Sequence, residues 1–223
     1  MNVIISGTSS GIGLAIARMF LASGFEVFGF DSADSAIENE RYHHVIHDIR
    51  DEIQARLVAQ DGTCVPDPDY LINNAGTQDD ALAIDVNLEG TIRFTRAFID
   101  SSALKSVLFI ASASARNGAE FPRYVASKAG VVGYMKNLAL QLAPRGITVN
   151  SISPGGVVTP INDHIMKSDE LYTAVKAETL LGKWAQPEEI ADLAYFLTVT
   201  NRSITGEDIL IDNGEMLKSN FIW

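Results

Sequence analysis

A single cysteine, Cys64, stands in 223 residues. A lone thiol cannot close an intrachain disulfide, so the chain is not a stapled secreted scaffold, and a reducing compartment, the cytoplasm, is expected. No run approaches the roughly 20 apolar residues that cross a bilayer, and the first residues lack the basic and apolar regions of a signal peptide. Positive charge is scarce: 17 Lys and Arg face 28 Asp and Glu, a net charge of −11. That balance repels phosphate backbones and anionic lipid, so no nucleic acid and no membrane is expected as partner. A small anionic ligand held by local dipoles stays possible. Repeats, low-complexity tracts and linkers are missing too. What is present, 47% hydrophobic and 20% charged residues, is globular composition sufficient for one domain over 1–223.

The order of elements points to an α/β fold. Asn2-Val3-Ile4-Ile5-Ser6 is a β-branched run of the kind buried on both faces. After Gly7, Gly11 and Gly13 come Leu14, Ile16, Ala17, Phe20 and Leu21 at helical spacing, closed by Gly24. Strands are expected at Phe25–Phe30, Tyr42–His47, Tyr70–Ile72, Ser106–Ile110, Ile147–Ile152 and Asp208–Ile211. Helices are expected over Ala83–Ile99, Tyr124–Ala143, the polar stretch Asn162–Thr179, and a segment opened by Pro187-Glu188-Glu189. The economical arrangement is a single-domain, doubly wound parallel β-sheet with helices on both faces.

Three local patterns carry chemistry. Glycines 7, 11 and 13, between strand and helix, let backbone approach a pyrophosphate while the helix N-terminus offers free N–H groups. Their G-x-x-x-G-x-G spacing could also serve only a tight turn. Asp31 closes the second strand about 20 residues on, where a carboxylate accepts from ribose hydroxyls and repels a 2′-phosphate. Ser10 and Ser32 supply no cation for that phosphate, so NAD(H) is preferred over NADP(H). Tyr124 and Lys128 form Y-x-x-x-K on one helix face, where an ammonium would favour the phenolate and lower the tyrosine pKa. The same pair could be an exposed surface contact.

Taken together these residues resemble the classical short-chain dehydrogenase/reductase family. Ser6-Gly7-Thr8-Ser9-Ser10-Gly11-Ile12-Gly13 is similar to its T-G-x-x-x-G-I-G loop, and Asn73-Asn74-Ala75-Gly76 to its N-N-A-G. Pro154-Gly155-Gly156-Val157-Val158-Thr159 resembles P-G-x-x-x-T, Gly182 to Ala191 resembles G-R-x-x-x-P-E-E-I-A, and Ile204-Thr205-Gly206 through Gly214 the closing I-T-G…D-G-G. The likeness runs end to end and implies a Rossmann fold and an oxidoreductase interconverting a secondary alcohol and a carbonyl. It implies Tyr124 as general acid or base, Ser112 on the substrate oxygen, Lys128 on the nicotinamide ribose, and Asn87 anchoring a relay water. As cofactor contacts it implies Gly7, Ser9, Ser10, Gly11, Ile12, Gly13, Asp31, Tyr124, Lys128, Pro154 and Gly155. Asp48 and Ile49 would meet adenine, and the backbone of Asn73, Ala75 and Gly76 the adenosine ribose, with Asn74 tying strands together. Val157 and Thr159 would hold the nicotinamide half. A homodimer or homotetramer follows by the same likeness.

Departures from the family's pattern matter as well. Ser112 lies one residue closer to Tyr124 than is usual, and Ser114 is its rival. The link from Gly76 to Asn87 is short, so the helix normally there is cut to a turn or lost. His43 and His44 alternate across a strand with no further ligand cluster, so no metal is expected. Residues 160–183, carrying Met166, Leu171, Tyr172, Val175 and Leu180, fall where a substrate lid is expected. The apolar end Phe221-Ile222-Trp223 is expected to pack against the body or a neighbour. Two other functions compete: a 3-oxoacyl-(acyl-carrier-protein) reductase, which would need a basic carrier-binding patch, and a noncatalytic dinucleotide-binding redox sensor.

Overall fold

Side chains alternate across a strand, and β1 (Asn2–Ser6) is apolar on both faces: Val3 and Ile5 enter one buried cluster, Ile4 the other. β2 (Glu26–Asp31), β3 (Tyr42–Ile46), β4 (Tyr70–Asn73), β5 (Ser106–Ile110), β6 (Thr148–Pro154) and β7 (Asp208–Ile211) join it in one parallel sheet ordered β3-β2-β1-β4-β5-β6-β7. This computed structural model describes residues 1–53 and 57–218. Phe221-Ile222-Trp223 lies outside the described residues.

The α-helices are α1 (Gly11–Ala22), α2 (Thr91–Arg96), α3 (Ser114–Asn117), α4 (Pro122–Leu142), α5 (Asp163–Met166), α6 (Asp169–Ala177) and α7 (Pro187–Tyr195). Ile16 and Phe20 of α1 meet Ile190 and Ala194 of α7 on the face of Val3 and Ile5. Phe94 of α2 and Met135 and Leu138 of α4 cover the other face against Ile4, Phe28 and Phe30. Each fully buried side chain of this size stabilises the fold by roughly 1.5–3 kcal/mol, so both faces hold their helices firmly. The sheet is therefore the doubly wound Rossmann arrangement.

Chain order reverses at β1, whose Ile5 pairs with Gly29 of β2 on one side and Ile72 of β4 on the other. The loops leaving the carboxyl ends of β1 and β4 must part there, opening the crevice in which such sheets bind ligands.

Two expected helices are broken. The segment foreseen as one helix over Ala83–Ile99 begins as a π-turn, Ile84–Gly90, before α2, and the shortened link ahead of it is a turn in which Asp79 Oδ1 accepts from Ala81 N at 2.9 Å. The stretch Asn162–Thr179 divides at Ser168, which leaves helical backbone and caps α6 by accepting from Leu171 N at 3.3 Å. A serine hydroxyl competes for backbone donors in this way and favours a helix start over a helix interior.

Candidate active site

At the end of β1 the Ser6 hydroxyl accepts from the backbone N–H of Asn74 (3.0 Å) and of Ala75 (3.1 Å), while Asn74 Nδ2 donates to the carbonyls of Ser6 (3.1 Å) and Gly7 (2.9 Å). The two parting loops are thereby tied together. Gly7, at φ +75°, has no room for a side chain, since a Cβ would stand 2.8 Å from the Ala75 Cα, and one on Gly13 would overlap the Gly7 carbonyl. These two glycines set how closely α1 approaches the strand ends. Ser10 precedes α1 in extended backbone without a side-chain cap, so the first-turn N–H groups are open to an anion. On the opposite bank Asp31 accepts from Ser9 N through Oδ2 (2.9 Å) and from Ala33 N through Oδ1 (3.0 Å).

Some 850 Å³ of cleft runs from this cradle across the sheet ends. At its far end stand Ser112, Tyr124 and Lys128, all buried. Tyr124 is placed by the start of α4, where Asp80 Oδ1 accepts from Arg123 N (2.8 Å) and Tyr124 N (3.1 Å), a carboxylate capping a helix N-terminus from another segment. One turn on, Lys128 Nζ donates to Ile110 O (3.1 Å) and lies 5.8 Å from the Tyr124 ring centre. Ser112 Oγ accepts from Ser114 Oγ (2.9 Å) and Ser114 N (3.2 Å). The rival serine thus braces Ser112.

Burial governs the ionisation here. It pushes the Tyr124 phenol up to about 12, with the Glu120 charge adding to the rise and a hydrogen bond from Ser112 opposing it. Burial also pulls Lys128 down to about 8, against the charge of Glu120. The Tyr124 pKa therefore lies above its usual value and not below it as the Y-x-x-x-K pair suggested, because loss of water and the Glu120 charge act in the same direction. Glu120 itself holds a left-handed φ of 80°, and burial raises its pKa.

Of the residues foreseen, Gly7, Ser10, Gly11, Ile12, Asp31, Asp48, Ile49, Ala75, Gly76, Pro154, Gly155, Val157 and Thr159 line the same cleft as Ser112, Tyr124 and Lys128. Four stand off it. Ser9 and Gly13 act through their neighbours, as above. The Asn73 side chain accepts from Thr95 Oγ1 (3.1 Å) beneath α2, and Asn74 takes its place on the cleft wall. Asn87 is buried in the π-turn, its amide spent on Thr77 N (2.7 Å), Thr77 O (2.9 Å) and Ser127 Oγ (3.1 Å), so it ties the strand β4 loop to α4. Asp48 is gripped on both oxygens by Arg50 (2.6–3.1 Å), whose hydrogen bonds hold its pKa below the usual carboxylate range. Sequence reading overlooked Arg50, Glu120 and the capping role of Asp80; the acidic turn around Asp79 and Asp80 was the available signal for the last.

A family model described as Enoyl-(Acyl carrier protein) reductase matches residues 7–215, nearly the whole fold and every residue of the cleft named above. The chain belongs to the short-chain dehydrogenase/reductase family. Among curated members, this short-chain dehydrogenase/reductase is 30% identical over 250 residues to a 3-oxoacyl-(acyl-carrier-protein) reductase of Staphylococcus aureus, covering 96% of this chain and 97% of the relative. It is 32% identical over 247 residues to a short chain dehydrogenase of Penicillium brasilianum, 95% of each chain being covered. Among solved structures, 4-hydroxyisoleucine dehydrogenase complexed with NADH superposes with a TM-score of 0.84 at 27% identity, over 98% of this chain and 99% of that one. Other neighbours, at 26% identity, carry bound NADP. A short-chain dehydrogenase/reductase of this kind is an oxidoreductase, and a nicotinamide dinucleotide is the cofactor its neighbours bind. Among the described residues no helix is long and apolar enough to cross a membrane.

Proposed function

We propose that the enzyme interconverts a secondary alcohol and a ketone with NAD(H), using Tyr124 as proton donor and acceptor. The observation that carries this reading is the shared cleft: a phosphate cradle and Asp31 at one end, and Ser112, Tyr124 and Lys128 together at the other. The residues present fit the dinucleotide, because the α1 N-terminus is uncapped and Gly7, Gly11 and Ile12 beside it line the cleft. Asp31, with no cation beside it at Ser10 or Ser32, supports NAD(H) over NADP(H).

When bound, the nicotinamide supplies or removes the hydride. The protein does the rest. Reduction builds negative charge on the substrate oxygen, and two hydroxyl donors, Ser112 Oγ and Tyr124 Oη, face it. Tyr124, held protonated by burial, delivers its proton from Oη to that oxygen in reduction; in oxidation it must accept one, so charge from Lys128 has to offset desolvation. Lys128 would also hold the nicotinamide ribose. Residues 160–183, with α5 and α6, would close over the substrate. A small-molecule alcohol or carbonyl compound is the substrate class. A homodimer or homotetramer is supported by apolar side chains left exposed, such as Leu140 on α4, and a reducing compartment, the cytoplasm, by the exposed free Cys64.

Titrating purified protein with NADH and NADPH, by nicotinamide fluorescence, tests the cofactor assignment. NADH binding at least tenfold tighter, about 1.4 kcal/mol, with the preference lost in Asp31→Ala, is the expected result. Failure to bind either nucleotide would refute it. The names of the bacterial relatives favour a second reading, reduction of a 3-oxoacyl thioester, so a substrate panel should hold simple ketones, alcohols and a 3-oxoacyl thioester. Turnover of the thioester alone, with NADPH, would decide for that reading, and binding without turnover of any of them for a sensor.

A further inference from the structure

A closed ring of hydrogen bonds joins the glycine loop to the loop after β2. Thr8 Oγ1 meets Tyr42 Oη (2.8 Å), Tyr42 Oη meets His44 Nδ1 (2.9 Å), and His44 Nε2 meets the Ala33 carbonyl (2.9 Å). Ala33 N donates to Asp31 Oδ1 (3.0 Å), and Asp31 Oδ2 accepts from Ser9 N (2.9 Å), next in the chain to Thr8. The Ala33 carbonyl can only accept, so His44 Nε2 donates to it, and the Tyr42 hydroxyl links His44 Nδ1 to Thr8 Oγ1. Thr8, Tyr42 and His44 are buried, whereas Ala33 is exposed, so the buried half anchors the exposed half. Room for the ring exists because residue 29 is glycine: a Cβ there would overlap the Tyr42 hydroxyl.

The ring bears on recognition through Asp31. Each carboxylate oxygen already accepts one backbone N–H, from residues of two different loops, which restrains the carboxylate plane and leaves each oxygen a further lone pair. Two adjacent acceptors held in one plane suit two vicinal hydroxyls, and a phosphate in place of one hydroxyl would meet a carboxylate unable to turn away.

We propose that Thr8, Tyr42 and His44 are positioning residues that preset the Asp31 carboxylate for a vicinal ribose diol and thereby sharpen discrimination against a 2′-phosphorylated dinucleotide. This rests on the assignment of the cleft to NAD(H), and the test separates the two. NADH and NADPH dissociation constants are measured by nicotinamide fluorescence on wild type, Tyr42→Phe, Thr8→Val and Thr8→Ser, with thermal unfolding of each. Tyr42→Phe and Thr8→Val should weaken NADH about fivefold or more, the effect of losing one hydrogen bond, and narrow the NADH to NADPH ratio. Thr8→Ser, which keeps the hydroxyl, should bind as wild type does. A purely structural ring would lower the unfolding temperature of Thr8→Val while leaving both dissociation constants of the folded protein unchanged, and that result would overturn the proposal. Should Tyr42→Phe fail to fold, the Thr8→Val and Thr8→Ser pair decides alone. Wild type that binds neither nucleotide overturns the NAD(H) assignment as well.

Discussion

Replacing Lys128 by methionine should make this enzyme more stable and inactive. The ammonium is buried, with Ile110 O as its hydrogen-bond acceptor, and burial brings its pKa from 10.5 down to about 8. At 1.36 kcal/mol per unit, holding that charge inside near neutral pH destabilises the native state by about 3 kcal/mol relative to a solvated lysine. Because the folded value is the lower one, the unfolded chain binds more protons between about pH 8 and 10.5. Stability contributed by this group therefore rises across that window, and the full penalty applies below it. Lys128→Met keeps side-chain length, deletes the charge and loses one hydrogen bond of about 1 kcal/mol. The variant should gain about 2 kcal/mol near neutral pH, roughly 4–8 °C in Tm. Urea unfolding of both proteins at several values from neutral to alkaline pH is the assay, and their difference cancels the other titrating groups. The gap should close toward the alkaline end. A methionine variant less stable than wild type near neutral pH, or a gap that does not change with pH, would show that Lys128 is not strained by burial.

Other outcomes follow from the same geometry. Tyr124→Phe should keep NADH affinity within about threefold while turnover falls by roughly 10²-fold or more; a smaller loss would move the proton transfer elsewhere. Glu120→Gln removes a charge that raises the Tyr124 pKa, so the alkaline rise in the oxidation rate should shift to lower pH, and an unmoved or upward-moved profile would contradict that coupling. Ser114→Ala deletes a donor to Ser112 Oγ and should lower kcat by about tenfold, about 1.4 kcal/mol, with KM little changed. In Gly13→Ala the new Cβ meets the Gly7 carbonyl, so urea unfolding should show a loss of about 1–3 kcal/mol together with weaker nucleotide binding; an unaffected variant would mean that α1 can slide.

Much of the fold was legible because it rests on local regularities. Apolar runs such as Val3-Ile4-Ile5 and Val107-Leu108-Phe109-Ile110 can be buried on both faces, and a parallel sheet needs them to be. Glycines 7 and 13 and the step from Tyr124 to Lys128 express the geometry of one turn and one helix face, which chain spacing states directly. Helix interruptions were less readable: the π-turn around Asn87 forms where its amide reaches Thr77 and Ser127, and Ser127 is remote in the chain.

The sequence by itself determined the alternation of strands and helices, the glycine-rich turn opening α1, the acidic end of β2 and the pairing of Tyr124 with Lys128, because each depends on residues within a few positions of one another. Only the tertiary structure decided that Asn74 and not Asn73 faces the cleft, that Asn87 reaches Ser127, and that Asp80 caps α4. It alone also decided the sign of the Tyr124 shift. Proton affinity depends on how much water and charge surround a group, and that environment is assembled by segments far apart in the chain, so no local pattern carries it.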